Sequence, residues 1–146
     1  MAHHKIALLA DTHGLLREEV VQKIKDCEVI FHAGDFGGPE IVERLQQIAP
    51  VYMARGNNDK EWAKDMPYFV REQIGNRTFY MCHKKQDLPD ELGEVDFVIC
   101  GHSHKYELKQ EGSICYINPG SCGPRRFHQP ITFAILYFED ETADYR

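Results

Sequence analysis

Short apolar runs and amphipathic stretches alternate along the first part of the chain. "KIALLAD" (5–11) is apolar almost without interruption, as a strand buried on both faces would be. "LLREEVVQKIKD" (15–26) instead spaces Leu15, Leu16, Val20, Val21 and Ile24 along one helical face. A second strand follows in "EVIFHAGD" (28–35). A second helix follows in "GPEIVERLQQIA" (38–49), with Pro39 in the first turn, where a missing N–H costs nothing. "VYMARGNND" (51–59) reads as a third strand running into a loop. This βαβαβ order predicts a parallel sheet with right-handed crossovers.

After residue 66 the texture changes. "YFVREQI" and "RTFYMCH", separated by Gly75-Asn76, predict a hairpin. A short helical stretch is expected at 88–93, then the strand "DFVICG". "KYELKQ", "SICYIN" and "ITFAILYFED", running toward "ETADYR", have the look of a β-meander. No repeat, low-complexity tract or linker divides residues 1–146, so a single α/β domain is expected, with two packed mixed sheets flanked by helices.

Composition narrows the function classes. With 42% hydrophobic and 27% charged residues the chain reads as soluble and globular. No apolar run approaches the roughly 18 residues of a membrane helix, and "MAHHKIALLAD" lacks the features of a secretory signal. Five cysteines (27, 82, 100, 115, 122), odd in number and without a CxxC pair, argue against a zinc ribbon or disulfide framework and for a reducing, cytoplasmic setting. A net charge of −6 argues against bulk binding of a nucleic-acid backbone. Assembly into a homo-oligomer is left open.

The strand exits carry the chemistry. The first strand ends in Asp11-Thr12-His13-Gly14, the second in Gly34-Asp35, and the third in Gly56-Asn57-Asn58-Asp59. Later strands end in Cys82-His83 and Gly101-His102-Ser103-His104. Any one exit could be a solvated turn. Together they aim Asp, Asn and His at the edge where open α/β sheets bind ligands. Two aspartates, Asn57 and four imidazoles suit borderline divalent metals such as manganese, iron, nickel or zinc. They also exceed what one ion needs and fit two. Ions about 3.5–4 Å apart clamp the attacking and leaving oxygens of a phosphoryl displacement. Two divalent ions, two aspartates and a hydroxide leave the site about one positive charge, enough for an acidic protein to draw in a phosphate ester.

Asp11-x-His13, Gly34-Asp35, Gly56-Asn57-x-Asp59, His83 and Gly101-His102-x-His104, in this order, resemble the calcineurin-like metallophosphoesterase superfamily. The short chain and Asn118-Pro119-Gly120-Ser121 resemble its small bacterial and archaeal phosphodiesterase branch. The resemblance implies a four-layer α/β/β/α sandwich. It implies a first metal on Asp11, His13, Asp35 and His104, and a second on Asp35 as bridge with Asn57, His83 and His102. Asp35, Asn57 and His104 would be catalytic as well as ligating, with a hydroxide between two ions, manganese first among them, attacking a small phosphodiester in line. Gly14 and Gly101 would let the backbone pass close to the site. A retromer subunit with this fold serves as a scaffold, which supplies the alternative; the seven ligands here are complete.

Two departures bear on the substrate. Phosphomonoesterases of the superfamily carry a histidine after the metal-binding Asn. Here Asn58 stands there, and an amide cannot protonate a leaving group. His83-Lys84-Lys85 replaces the His-Gly-His usual in the small branch. Asn58, Lys85 and Arg125 are taken as substrate-binding candidates, with Arg126 beside the last, and Lys84 as solvated. His32 reads as a hydrogen-bonded core histidine, Asp59 as a helix cap or as a support for the ligands, and Trp62 as a packing anchor. No role is assigned to His128.

Overall fold

The computed structural model describes residues 3–125 and 130–139. Two mixed sheets pack face to face. The first has the order β3-β2-β1-β9, from β1 (His3–Leu9), β2 (Val29–His32), β3 (Val51–Met53) and β9 (Ala134–Glu139). β1, β2 and β3 run parallel, joined through α1 (Glu18–Ile24) and α2 (Pro39–Gln46), while β9 lies antiparallel beside β1. The second sheet has the order β4-β5-β6-β8-β7. Its strands are β4 (Phe69–Ile74), β5 (Arg77–Cys82), β6 (Phe97–Ile99), β7 (Glu107–Glu111) and β8 (Ile114–Asn118).

The apolar run of β1 serves two cores. Ile6, Leu8 and Ala10 face the second sheet, packing with Phe31, Phe79, Met81 and Ile99. Ala7 and Leu9 face the other way, against Leu16, Val20, Ile24, Ile41 and Leu45 of the helical layer. Such alternation is what a central strand covered on both faces requires. Phe31, Phe79 and Phe97 stack in sequence between the sheets, with ring centroids 4.9 and 5.0 Å apart. Trp62 packs edge-on against Phe36, and all five cysteines are free thiols.

The four layers are unequal. Over the outer face of the second sheet lie a 3-10 turn (Lys85–Asp87) and irregular chain, whose Leu88, Leu92 and Val95 cover Cys82, Val98 and Cys100. The helix expected at 88–93 is absent. Arg71 of β4 donates to the carbonyls of Leu92 (2.7 Å) and Glu94 (3.2 Å), fixing this segment against the sheet edge without helical hydrogen bonds. The expected meander is also corrected. β7 and β8 form a hairpin, but β8 pairs in parallel with β6, and β9 crosses to the first sheet. "ETADYR" lies outside the described residues.

Candidate metal centre

The exits of β1, β2, β5 and β6 meet at one end of the sandwich and are laced together by their backbones. Asp11 N–H donates to Gly34 O (3.0 Å), His13 N–H to Asp35 O (3.0 Å), and Gly101 N–H to His83 O (2.8 Å). Two triads result. Asp11, His13 and His104 form one; Asp35, His83 and His102 form the other. Within each, one donor atom per residue lies within 4.8 Å of the others.

The triads share a boundary. Asp35 Oδ2 stands 3.2 Å from His83 Nε2 and 3.7 Å from His13 Nε2. Asp11 Oδ1 stands 3.6 Å from His104 Nε2, 3.7 Å from His13 Nε2 and 3.8 Å from His83 Nε2. Both carboxylates are almost wholly buried, at 0% and 2% exposure. Buried Asp11 Oδ1 and His83 Nε2 nevertheless lack a hydrogen bond.

Backbone strain is concentrated here. Among the described residues, the non-glycine positions with positive φ are Asp11 (56°), His13 (45°), Asp35 (61°), His102 (75°) and His104 (64°). Each belongs to a triad. Left-handed backbone costs a side-chain-bearing residue on the order of 1–3 kcal/mol and persists only where the surroundings enforce it. The enforcing contacts are visible. Ser121 Oγ donates to the Asp11 carbonyl (2.8 Å), and His102 N–H donates to Asp11 Oδ2 (2.9 Å). Asn118 Nδ2 donates to Gly101 O and Ser103 Oγ, both at 3.1 Å. The Asn-Pro-Gly-Ser turn thus braces two ligand-bearing loops.

The imidazoles are individually set. His83 Nδ1–H donates to the Ala33 carbonyl (2.8 Å), which fixes the tautomer and leaves the Nε2 lone pair facing the carboxylates. His32 takes no part as a ligand. Its Nδ1 accepts from Gly34 N–H (3.1 Å), so Nε2–H donates to Thr12 Oγ1 (3.0 Å), which in turn donates to Phe36 O (2.9 Å). Burial pulls its pKa down to about 3 and keeps it neutral.

Charge is poorly matched without a cation. Burial pushes the Asp11 pKa up to about 7, against the pull of His83 and with the repulsion of Asp35. For Asp35, burial acts upward but is overcome by His83 and the two donors of Asn58, so its pKa is lowered. At His83 burial acts downward and is overcome by Asp35 and Asp11, so its pKa is raised. Two buried carboxylates, a lone pair held by a fixed tautomer and unbonded polar atoms fit divalent cations. Asp11, His13 and His104 could hold one, and Asp35, His83 and His102 another.

Most of the remaining candidates lie around the two triads. Asn58, taken as a substrate contact, spends its backbone N–H on Asp35 Oδ1 (2.8 Å) and its amide Nδ2–H on Asp35 Oδ2 (3.0 Å). Asn57 is exposed and borders a cavity beside His83. Of the two roles expected for Asp59, helix cap or support for the triad residues, it takes the second. Its carboxylate accepts from Asp35 N–H (2.8 Å), Phe36 N–H (2.9 Å) and Gly56 N–H (2.9 Å), tying the β2 exit to the β3 exit. Lys84 is half-buried rather than solvated and lines the cavity beside His83. Lys85 is exposed, with Nζ 5.5 Å from the Tyr116 ring centre, and borders a second cavity containing His102. Arg125 is exposed; Arg126 and His128 lie outside the described residues.

Glycines admit the close approaches. A Cβ on Gly101 would stand 2.8 Å from Ala10 Cβ and 3.0 Å from Asp11 Oδ2. On Gly56 it would stand 2.1 Å from Asp35 Oδ1, a constraint sequence reasoning missed because Gly56 sits in an ordinary-looking turn. Gly14 has φ +83°, so it is the conformation, more than crowding, that calls for glycine there.

A model of the calcineurin-like phosphoesterase superfamily domain matches residues 5–141. The chain belongs to the calcineurin-like phosphoesterase superfamily. A relative described as "Probable metallophosphoesterase", from Methanothermobacter thermautotrophicus, is 28% identical over 95% of this chain and 88% of its own. Solved structures agree on the fold. Vacuolar protein sorting 29 from Cryptosporidium parvum superposes with a TM-score of 0.80 at 20% identity, covering 94% of this chain and 86% of that one. A novel archaeal phosphodiesterase gives 0.75 at 24% identity, covering 92% and 99%. Both triads therefore lie in a metallophosphoesterase fold that spans nearly the whole chain.

Proposed function

We propose that the protein is a phosphodiesterase that works with two divalent metal ions, manganese first among them, on small phosphodiesters in the cytoplasm. The observation that carries this is the pair of abutting Asp/His triads, five of whose six members sit on strained left-handed backbone. When bound, two such ions supply Lewis-acid charge and a water of lowered pKa for in-line displacement at phosphorus. Asp35 would be the bridging ligand: its Oδ2 approaches an imidazole of each triad, at 3.2 Å from His83 Nε2 and 3.7 Å from His13 Nε2. Asp11 Oδ1, which also faces both triads, comes no nearer than 3.6 Å to any of them. Asn57, at the cavity beside His83, would complete the second set. Asn58 orients the bridge through both of its donors.

No side chain of Asn58 type can protonate a leaving group, which favours diesters with good leaving groups over monoesters of alcohols. Lys85, on the rim of a cavity of about 230 Å³ with His102 and Ser103, would meet a phosphate oxygen there. The likeness to vacuolar protein sorting 29 keeps a scaffold role as the alternative. The complete donor set favours chemistry.

The test is a screen of diesters and monoesters with added manganese, run beside Asp35→Asn. Hydrolysis of diesters by the native chain, lost in the variant together with retention of both ions, is the expected result. Near-normal turnover by Asp35→Asn with both ions bound would remove the bridge. Hydrolysis of monoesters alone would reassign the substrate class.

A further inference from the structure

A cavity of about 280 Å³ opens beside His83 and Asn57, near the lower end of the range for small-molecule sites. Its walls include two adjacent aromatic residues, Tyr68 and Phe69, which are 55% and 46% exposed. Exposed aromatic rings are ordinary when scattered. A neighbouring pair on the wall of a cavity shared with His83 is a different arrangement, because both rings border the same space beside a triad.

The ring of Tyr68 is also supported. Arg55 places its guanidinium 5.3 Å from the Tyr68 ring centre. That guanidinium is itself fixed, donating through Nε to Asp59 O (2.8 Å) and through Nη2 to Lys60 O (3.1 Å). Asp59 in turn holds the Asp35 backbone, so one chain of contacts sets both the platform and the candidate bridge. Lys84 lines the same cavity, and with Arg55 it outweighs the single carboxylate there, Asp87. A cation-rimmed aromatic wall next to a phosphoryl-transfer centre suits a substrate whose phosphate carries a flat ring.

We infer that this cavity is the subsite for a flat aromatic group, a nucleobase or an aryl ring, borne on the retained, non-leaving ester arm of the phosphate and stacked on Tyr68 and Phe69. The inference rests on the phosphodiesterase reading and names the substrate class within it.

The test keeps the leaving group constant and varies the retained arm. Methyl, phenyl and thymidine 5′-esters of p-nitrophenyl phosphate are compared by kcat/KM with manganese. Stacking a base on an aromatic side chain is worth roughly 5- to 150-fold in binding, so the ringed esters should lead the methyl ester by that order. Tyr68→Ala, Tyr68→Leu and Phe69→Ala should erase the lead, bringing the ringed esters down to the methyl ester measured in the same variant. Thymidine ahead of phenyl assigns a nucleobase; phenyl equal or ahead assigns a simple aryl ring. A methyl ester cleaved as well as the others, or variants that leave the preference intact, would overturn the subsite. Binding of thymidine, which carries no phosphate charge, to metal-free protein, followed by NMR, reads the subsite separately. Shifts that vanish in Tyr68→Ala support it even if no ester is hydrolysed, an outcome that would sink the enzymatic reading alone. Absence of binding in the native chain counts against it.

Discussion

Asp11 and Asp35 bring two buried carboxylates up against four imidazoles, and their protonation decides what the site can hold. Asp11 has its pKa raised to about 7 and His83 is raised from its usual value, so below about pH 7 an incoming cation competes with protons on both. Metal binding must therefore release protons. Apparent affinity is expected to rise as pH climbs through neutrality and to fall about tenfold per pH unit, for each proton displaced, below it. Calorimetric titrations of manganese at pH 6, 7 and 8 in buffers of different ionisation heat would show this; a pH-independent affinity would contradict it. Asn58 makes a second prediction at this scale. Loss of contacts that orient a metal ligand typically costs about 10–100-fold in affinity or activity, so Asn58→Ala should weaken metal binding by about that factor with little loss of fold. An unchanged affinity would return Asn58 to the substrate. That Asn58 turns inward was not legible in the chain, because Asn57 and Asn58 are the same residue type and only the turn geometry separates them.

At the scale of elements, the strand exits were readable and the partnerships between strands were not. β1, β2, α1, α2 and the β4–β5 hairpin follow from apolar period and turn residues, since both are local properties. The destination of β9 is not local. An alternating apolar strand suits either sheet, and only the open edge beside β1 takes it from the second sheet to the first. The segment 88–93 has the composition of a helical turn, but the carbonyls of Leu92 and of Glu94 just beyond it are taken by Arg71, a contact 21 and 23 residues away in sequence. Asp59 was legible only as a pair of alternatives. Its place after Gly-Asn-Asn allows a cap or a support, and the structure takes the support: its two oxygens collect three N–H groups from the β2 and β3 exits. Asp59→Ala would strand those buried donors, at about 1–3 kcal/mol for each left unsatisfied. Stability is expected to drop by about 3 kcal/mol or more, with metal affinity falling alongside because Asp35 loses its backbone anchor. Denaturant titration with and without manganese measures both. A drop within about 0.5 kcal/mol, the usual range for neutral surface changes, would mean water replaces the carboxylate.

The whole molecule places its strain and its buried charge at one end of a sandwich whose cores are otherwise apolar. Ile6, Leu8, Phe31 and Phe79 between the sheets, with Leu9, Ile24 and Leu45 beneath the helices, form the rigid body that holds the left-handed residues of the triads in place. Among the described residues no helix is long and apolar enough to cross a membrane. An acidic chain of net charge −6 can draw a phosphate ester to this end only if the site itself carries cationic charge. Loading metal-free protein stepwise with manganese, while following hydrolysis of bis(p-nitrophenyl) phosphate against ions bound per chain, tests that requirement most directly. Activity should stay low at one ion, rise as the second fills, and level off at two per chain. Saturation at a single ion, or two bound ions with no hydrolysis, would contradict the account.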